Sequence, residues 1–174
     1  AMLIPTGAKL SADIFGYTML VDDDLGIGQN ISELYKHVDF VSPMVYPSHY
    51  GESALGYSPP NDYPFEIIEI SMAQAKKRMN GNTLAIRPWL QDFSFPNMTP
   101  YGAKEVRAQI DATEQGGGSG WLLWDPNNKY TVDALHPAEG NTGTSGTAFK
   151  PVPVAFRNES TAGQQRARLR QSIA

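Results

Sequence analysis

Hydrophobic and polar positions along this chain alternate between two periods. Runs of short-period apolar residues cover Leu10 to Gly16, Phe40 to Tyr46, Thr83 to Gln91 and Gly120 to Trp124, and each reads as a strand. Between them lie runs at helical spacing. Asn30 with Glu33 three residues on has the form of a capping box, and Ile31, Leu34, Tyr35 and Val38 follow on one face. Phe65 to Met79 places Ile68, Met72, Ala75 and Met79 on one stripe, with Lys76, Lys77 and Arg78 where cations suit a helix C-terminus. Thr99 and Pro100 read as the cap and first position of a third helix, with Val106, Ile110 and Thr113 facing inward and Gly116 to Gly118 ending it. A short helix fits Thr131 to Leu135. Strands that alternate with helices imply parallel strands joined by crossovers. From His136 onward the periodicity disappears, and residues 137–174 read as a Gly-, Ser-, Thr- and Pro-rich flexible tail.

The strands share a second property. Asp39 to Tyr50, Leu84 to Phe93 and Gly120 to Pro126 each open as an apolar strand and end in aromatic and polar residues. Functional residues at the C-terminal ends of several parallel strands are what a β/α barrel presents at its catalytic face. The chain has 174 residues, which suits one domain but is short of the roughly 250 of a whole eight-stranded barrel. Its start, with a strand from Leu10, reads as the start of a fragment. A net charge of −4 gives no electrostatic basis for nucleic-acid binding. Cysteine is absent, so disulfides, thiolate metal sites and a Cys nucleophile are excluded. No apolar run approaches the ~20 residues of a membrane span, and residues 1–9 lack the pattern of a signal peptide.

Strand parity selects the candidate chemistry. Ser11, Asp13 and Phe15 share one face, as do Ser42, Met44 and Tyr46, and as do Arg87, Trp89 and Gln91. Asp13, Ser42, Arg87 and Gln91 can therefore converge on one axis, either as a site or as a structural Asp–Arg pair. Asp92 and Asp125 fall on the other parity, in strand-to-helix loops. Asp92 divides evenly between a cleft and a cap, whereas Asp125 before Pro126 reads as a turn. Trp89, Trp124, Tyr46, Tyr50 and Tyr57 offer flat faces for stacking, and Trp121 reads as core. His49 beside Tyr50 can act as an acid, a base or a hydrogen-bond donor, and nothing near it in sequence suggests a metal. Asp22 to Glu33 fails as a calcium loop because Ile27 stands where glycine is needed. The Gly116 to Gly120 run follows a helix and precedes a strand, the reverse of a phosphate loop.

Six motifs taken in order carry a resemblance: Ser11 to Gly16, Gly26 to Gln29, Ser42 to Tyr50, Arg87 to Phe93, Val106 to Ile110 and Gly120 to Trp124. Over about Lys9 to Leu135 the chain resembles the bacterial putative glycoside hydrolase family, a domain of unknown function among the α-amylase-like β/α barrels. The resemblance implies an α/β fold of the parallel eight-stranded β/α barrel type. Residues 1–136 would supply its C-terminal half, strands five to eight. It implies hydrolysis of a polysaccharide or oligosaccharide by carboxylate chemistry without a cofactor. Asp13 and Asp92 are then the candidate catalytic residues, although Glu is usual where Asp13 stands. Tyr46, His49, Tyr50, Arg87, Trp89, Gln91 and Trp124 are the candidate sugar contacts. Arg87 would keep a neighbouring carboxylate ionised. The family setting points to an envelope-associated or secreted protein. A half barrel leaves open sheet edges through which the chain can self-associate. A non-catalytic carbohydrate-binding module and an inactive fragment are the competing readings.

Overall fold

The computed structural model describes residues 6–135. The tail read over 137–174 lies outside the described residues. Four strands form one parallel sheet in sequence order: β1 (Ser11–Phe15), β2 (Phe40–Val45), β3 (Trp89–Gln91) and β4 (Leu122–Trp124). The register sets Asp13 beside Ser42, Met44 beside Trp89 and Gln91 beside Trp124. Three helices lie between the strands: α1 (Ile31–Leu34), α2 (Pro64–Arg78) and α3 (Ala103–Gln115). The alternating strand and helix pattern thus holds. No helix among the described residues is long and apolar enough to cross a membrane.

The core forms between one sheet face and the helices. Ile14, Val41, Val45, Ile86 and Leu90 are at most 1% exposed, and strand parity puts them on the face opposite Asp13. Ile67, Ile68, Met72 and Ala75 from α2, with Val106, Ile110 and Ala112 from α3, complete the cluster. All four residues of the expected α2 stripe are buried, and Trp121 packs against this core. At the exit of β1, Gly16 passes so close to β2 that a Cβ there would run into the Met44 carbonyl oxygen.

Local boundaries differ from the sequence reading in four places. The third strand is three residues long, because Thr83–Ala85 form a 3-10 turn and Ile86 makes only an isolated bridge to Val41. Pro88 then removes one donor from the ladder. Helix α1 is a single turn without the expected capping box: Asn30 makes no side-chain cap, and Glu33 pairs with Lys36 at 2.9 Å. Helix α3 starts at Ala103, not at Pro100, with Glu105 accepting the Gly102 N–H at 3.1 Å. Residues 132–135 form a 3-10 turn.

Two side-chain clamps tie loops to this frame. Arg78 at the end of α2 donates to the carbonyls of Leu20 and Val21 and pairs with Asp22 at 3.1 Å. Beyond Val45, the last residue of β2 to pair with β3, Gln109 of α3 takes over. Its amide accepts from the Gln91 N–H at 2.9 Å and donates to the Gln91 carbonyl at 2.8 Å. A helix side chain thereby supplies the backbone partners that a strand no longer offers.

Candidate active site

The sheet face opposite the helices carries the predicted polar and aromatic parity. Ser11 and Ser42 join through their hydroxyls at 2.9 Å. Asp13 is exposed and accepts from the Trp89 indole N–H at 3.0 Å, a reach across the whole width of β2. Trp89 in turn meets Trp124 edge to face, with ring centroids 6.0 Å apart. Trp124 remains 43% exposed and Phe15 41%. Such faces are suited to stacking against a flat apolar partner.

Tyr46, the next residue after β2, turns its ring into a second aromatic group. It meets His49 edge on at 5.2 Å and Phe93 at 5.5 Å. His49 also lies 5.8 Å from Phe93 and 5.9 Å from Phe95. Burial pushes the Tyr46 hydroxyl well above the usual phenol range, and the negative charge of Asp13 adds to the effect. Burial likewise lowers the pKa of His49, which favours the neutral ring. A cleft of about 260 Å³ opens between these groups, lined by His49, Phe93, Phe95, Trp124, Asp125 and Asn127 among others. Five of the nine predicted site residues are therefore linked: Asp13 to Trp89, Trp89 to Trp124, Trp124 across the cleft to His49, His49 to Tyr46, and Tyr46 electrostatically to Asp13.

The other four lie elsewhere or are occupied. Tyr50 is a core residue, 6% exposed, stacked on Tyr17 at 4.6 Å with its hydroxyl 3.5 Å from that of Ser71. Gln91 is fully buried. Its amide accepts from the Ser48 N–H at 3.0 Å and donates to the Asn61 side-chain oxygen and to the Phe93 carbonyl, so it ties two points of the loop after β2 to the loop after β3. Arg87 stacks its guanidinium 3.4 Å from the centroid of Phe40 and donates to Ser119 at 3.3 Å. It therefore forms a cation–π contact and not the considered pair with Asp13. Asp92 is 4% exposed, and its two carboxyl oxygens accept from the N–H and the hydroxyl of Thr131 at 2.8 and 2.6 Å. This is the capping alternative for Asp92, and it anchors the 132–135 turn. Asp125 also forms its expected turn, accepting the Asn127 N–H at 2.6 Å.

Phe95 and Asn127 were not among the sequence candidates, and Phe93 appeared there only as the end of a motif. The available signal was the alternation of Phe93 and Phe95 directly after the strand, which continues strand parity into the loop.

The open face and its cleft thus combine aromatic faces, neutral polar groups and the exposed carboxylate of Asp13. Among solved structures, the glycoside hydrolase domain of PgaB (BpsB) from Bordetella bronchiseptica is 19% identical, with a TM-score of 0.49 over 66% of this chain. The chain spans 30% of that structure's length. No curated protein matches. The family model described as a putative glycosyl hydrolase domain matches residues 1–130 of the 174, and the chain belongs to that family.

Proposed function

We propose that this chain supplies strands five to eight of a β/α barrel glycoside hydrolase acting on a polysaccharide or oligosaccharide, with further strands provided by an N-terminal half. The observation that carries this reading is the open sheet face. Asp13, Trp89 and Trp124 are joined on it by a hydrogen bond and an edge-to-face contact, and the neighbouring cleft is walled by aromatic rings. Four parallel strands in sequence order, each crossover packing helix onto the opposite face, are the repeating unit of such a barrel.

Asp13 is the proposed acid. Glycoside hydrolysis generally requires two carboxyl groups flanking the scissile bond. Trp89 holds one oxygen of Asp13 by its N–H and thereby orients the carboxyl toward a sugar stacked on the indoles. Asp92 has its oxygens engaged by Thr131, so its proposed part is to position the strand-end loops, and the second carboxyl comes from the N-terminal half. The test is hydrolysis of polysaccharides by the full-length protein. Asp13→Asn should lower turnover by about 10²- to 10⁴-fold, the usual contribution of a general acid, and leave urea unfolding unchanged. Full activity in that variant would remove Asp13 from the mechanism.

A binding module without catalysis is the second reading. The commitment of both Asp92 oxygens favours it, because Asp13 is then the one candidate carboxylate of the pair left open on this face among the described residues. Glycan binding that is lost on Trp89→Ala, with no hydrolysis by the full-length protein, would establish it.

A further inference from the structure

Asp125 has a feature that its turn does not use. It is 7% exposed and lines the cleft beside Trp124. One carboxyl oxygen accepts the Asn127 N–H at 2.6 Å. The second takes no hydrogen bond or ion pair among the described residues, and it is not sealed from solvent, so it is available to a donor. Among the described residues, no lysine or arginine lines the cleft. The guanidinium of Arg87 is stacked on Phe40 and bonded to Ser119. The remaining walls are the rings of His49, Phe93, Phe95 and Trp124 together with the neutral Ser94, Pro126 and Asn127, and burial favours the uncharged form of His49.

We propose that this cleft is a subsite for an uncharged sugar unit, with Asp125 as the specificity residue that rejects acidic sugars. The inference rests on the carbohydrate reading above and adds the charge class of the glycan. A neutral sugar ring presents apolar C–H faces to Trp124, Phe93 and Phe95, and it can donate a hydroxyl hydrogen to the unpaired oxygen of Asp125. A hydrogen bond to a charged acceptor is among the stronger ones. A uronate or sulfate in the same place would set like charges together with no cation to separate them. Specificity would thus come from a repulsive element as well as an attractive one.

The experiment uses the full-length protein on an array of matched neutral and uronate-bearing oligosaccharides, followed by titration of the best pair. Wild type should bind the neutral member at least about tenfold more tightly than its uronate counterpart, a typical gap for one unpaired like charge. Asp125→Asn removes the charge while its amide oxygen can still accept from Asn127, so the turn is retained. The variant should close most of the gap, chiefly by improved uronate binding, and raising salt should narrow the wild-type gap. Equal or tighter uronate binding by wild type, or an unchanged gap in Asp125→Asn, would overturn the specificity role and leave the carbohydrate reading intact. Absence of binding to every sugar would sink the carbohydrate reading itself and this inference with it.

Discussion

The two faces of the sheet are built from alternate residues of the same strands, yet they obey different rules. On the helix-covered face, Ile14, Val41, Val45, Ile86 and Leu90 are sealed against α2 and α3. On the other, Asp13 and Phe15 are exposed, Trp89 is half-buried and Trp124 keeps 43% of its surface open. A shift of one residue along any strand would exchange the two sets. The covered face therefore fixes the register, and the open face receives its side-chain geometry as a result. Stability and recognition can be altered separately here because successive residues serve one or the other.

That division is tested most strongly on the covered face. Ile86→Ala deletes a fully buried side chain and should cost about 2–5 kcal/mol, as large-to-small core changes do, read as a lower urea midpoint. Gln91→Leu probes the seam where the faces meet the loops. It strands the Ser48 N–H and the Asn61 side-chain oxygen Oδ1 and should cost about 1–3 kcal/mol for buried groups left unpaired. If it proves neutral, the loops 47–49 and 60–62 are held by something other than Gln91.

His49 gives a pH dependence of known sign. Its folded pKa is lowered by burial, so the unfolded chain binds its proton more readily. The neutral ring contributes fully above the unfolded value of about 6.5, and stability falls as pH drops from there toward the lowered folded value. His49→Phe should flatten urea midpoints across that window relative to wild type, and an unchanged slope would refute the assignment. The smallest expected stability effect is that of Trp124→Ala on the open face. It should move the unfolding free energy by no more than about 0.5 kcal/mol, as exposed positions usually do, while weakening glycan binding measurably in titration. A large loss of stability there would mean that the two faces are not separable.

Much of the covered face was legible in the sequence, because burial imposes a period. Ile68, Met72, Ala75 and Met79 recur at helical spacing and are all buried. Asp13, Ser42 and Trp89 were assigned to one face by parity, and Ser11–Ser42 and Asp13–Trp89 hydrogen bonds join that face. Beyond the strand ends the period stops, and residue type misleads. Tyr50 has the amphipathic side chain of a sugar contact, yet its apolar ring stacks in the core and Ser71 meets its hydroxyl. Gln91 and Asp92 are polar residues at a strand end, and both are used to close loops. Arg87 has an aromatic partner that sequence alone does not suggest, since Phe40 is brought to it by the pairing of β2 with the segment before β3. Phe95 lies in a loop, where the alternation carried over from the strand is the cue that marks it.

The strict sequence order of the strands has a consequence for how the chain acquires its structure. Every strand neighbours the one made before it, so no segment waits for a distant partner to be synthesised. Each new strand–helix unit can dock on a template already present as the polypeptide leaves the ribosome, at about 5–20 residues per second. The pairing itself is non-local, Met44 with Trp89 for one, and parallel sheets close slowly for that reason. The same order makes the architecture extensible: a further unit added before β1 or after β4 lengthens the array without rethreading it.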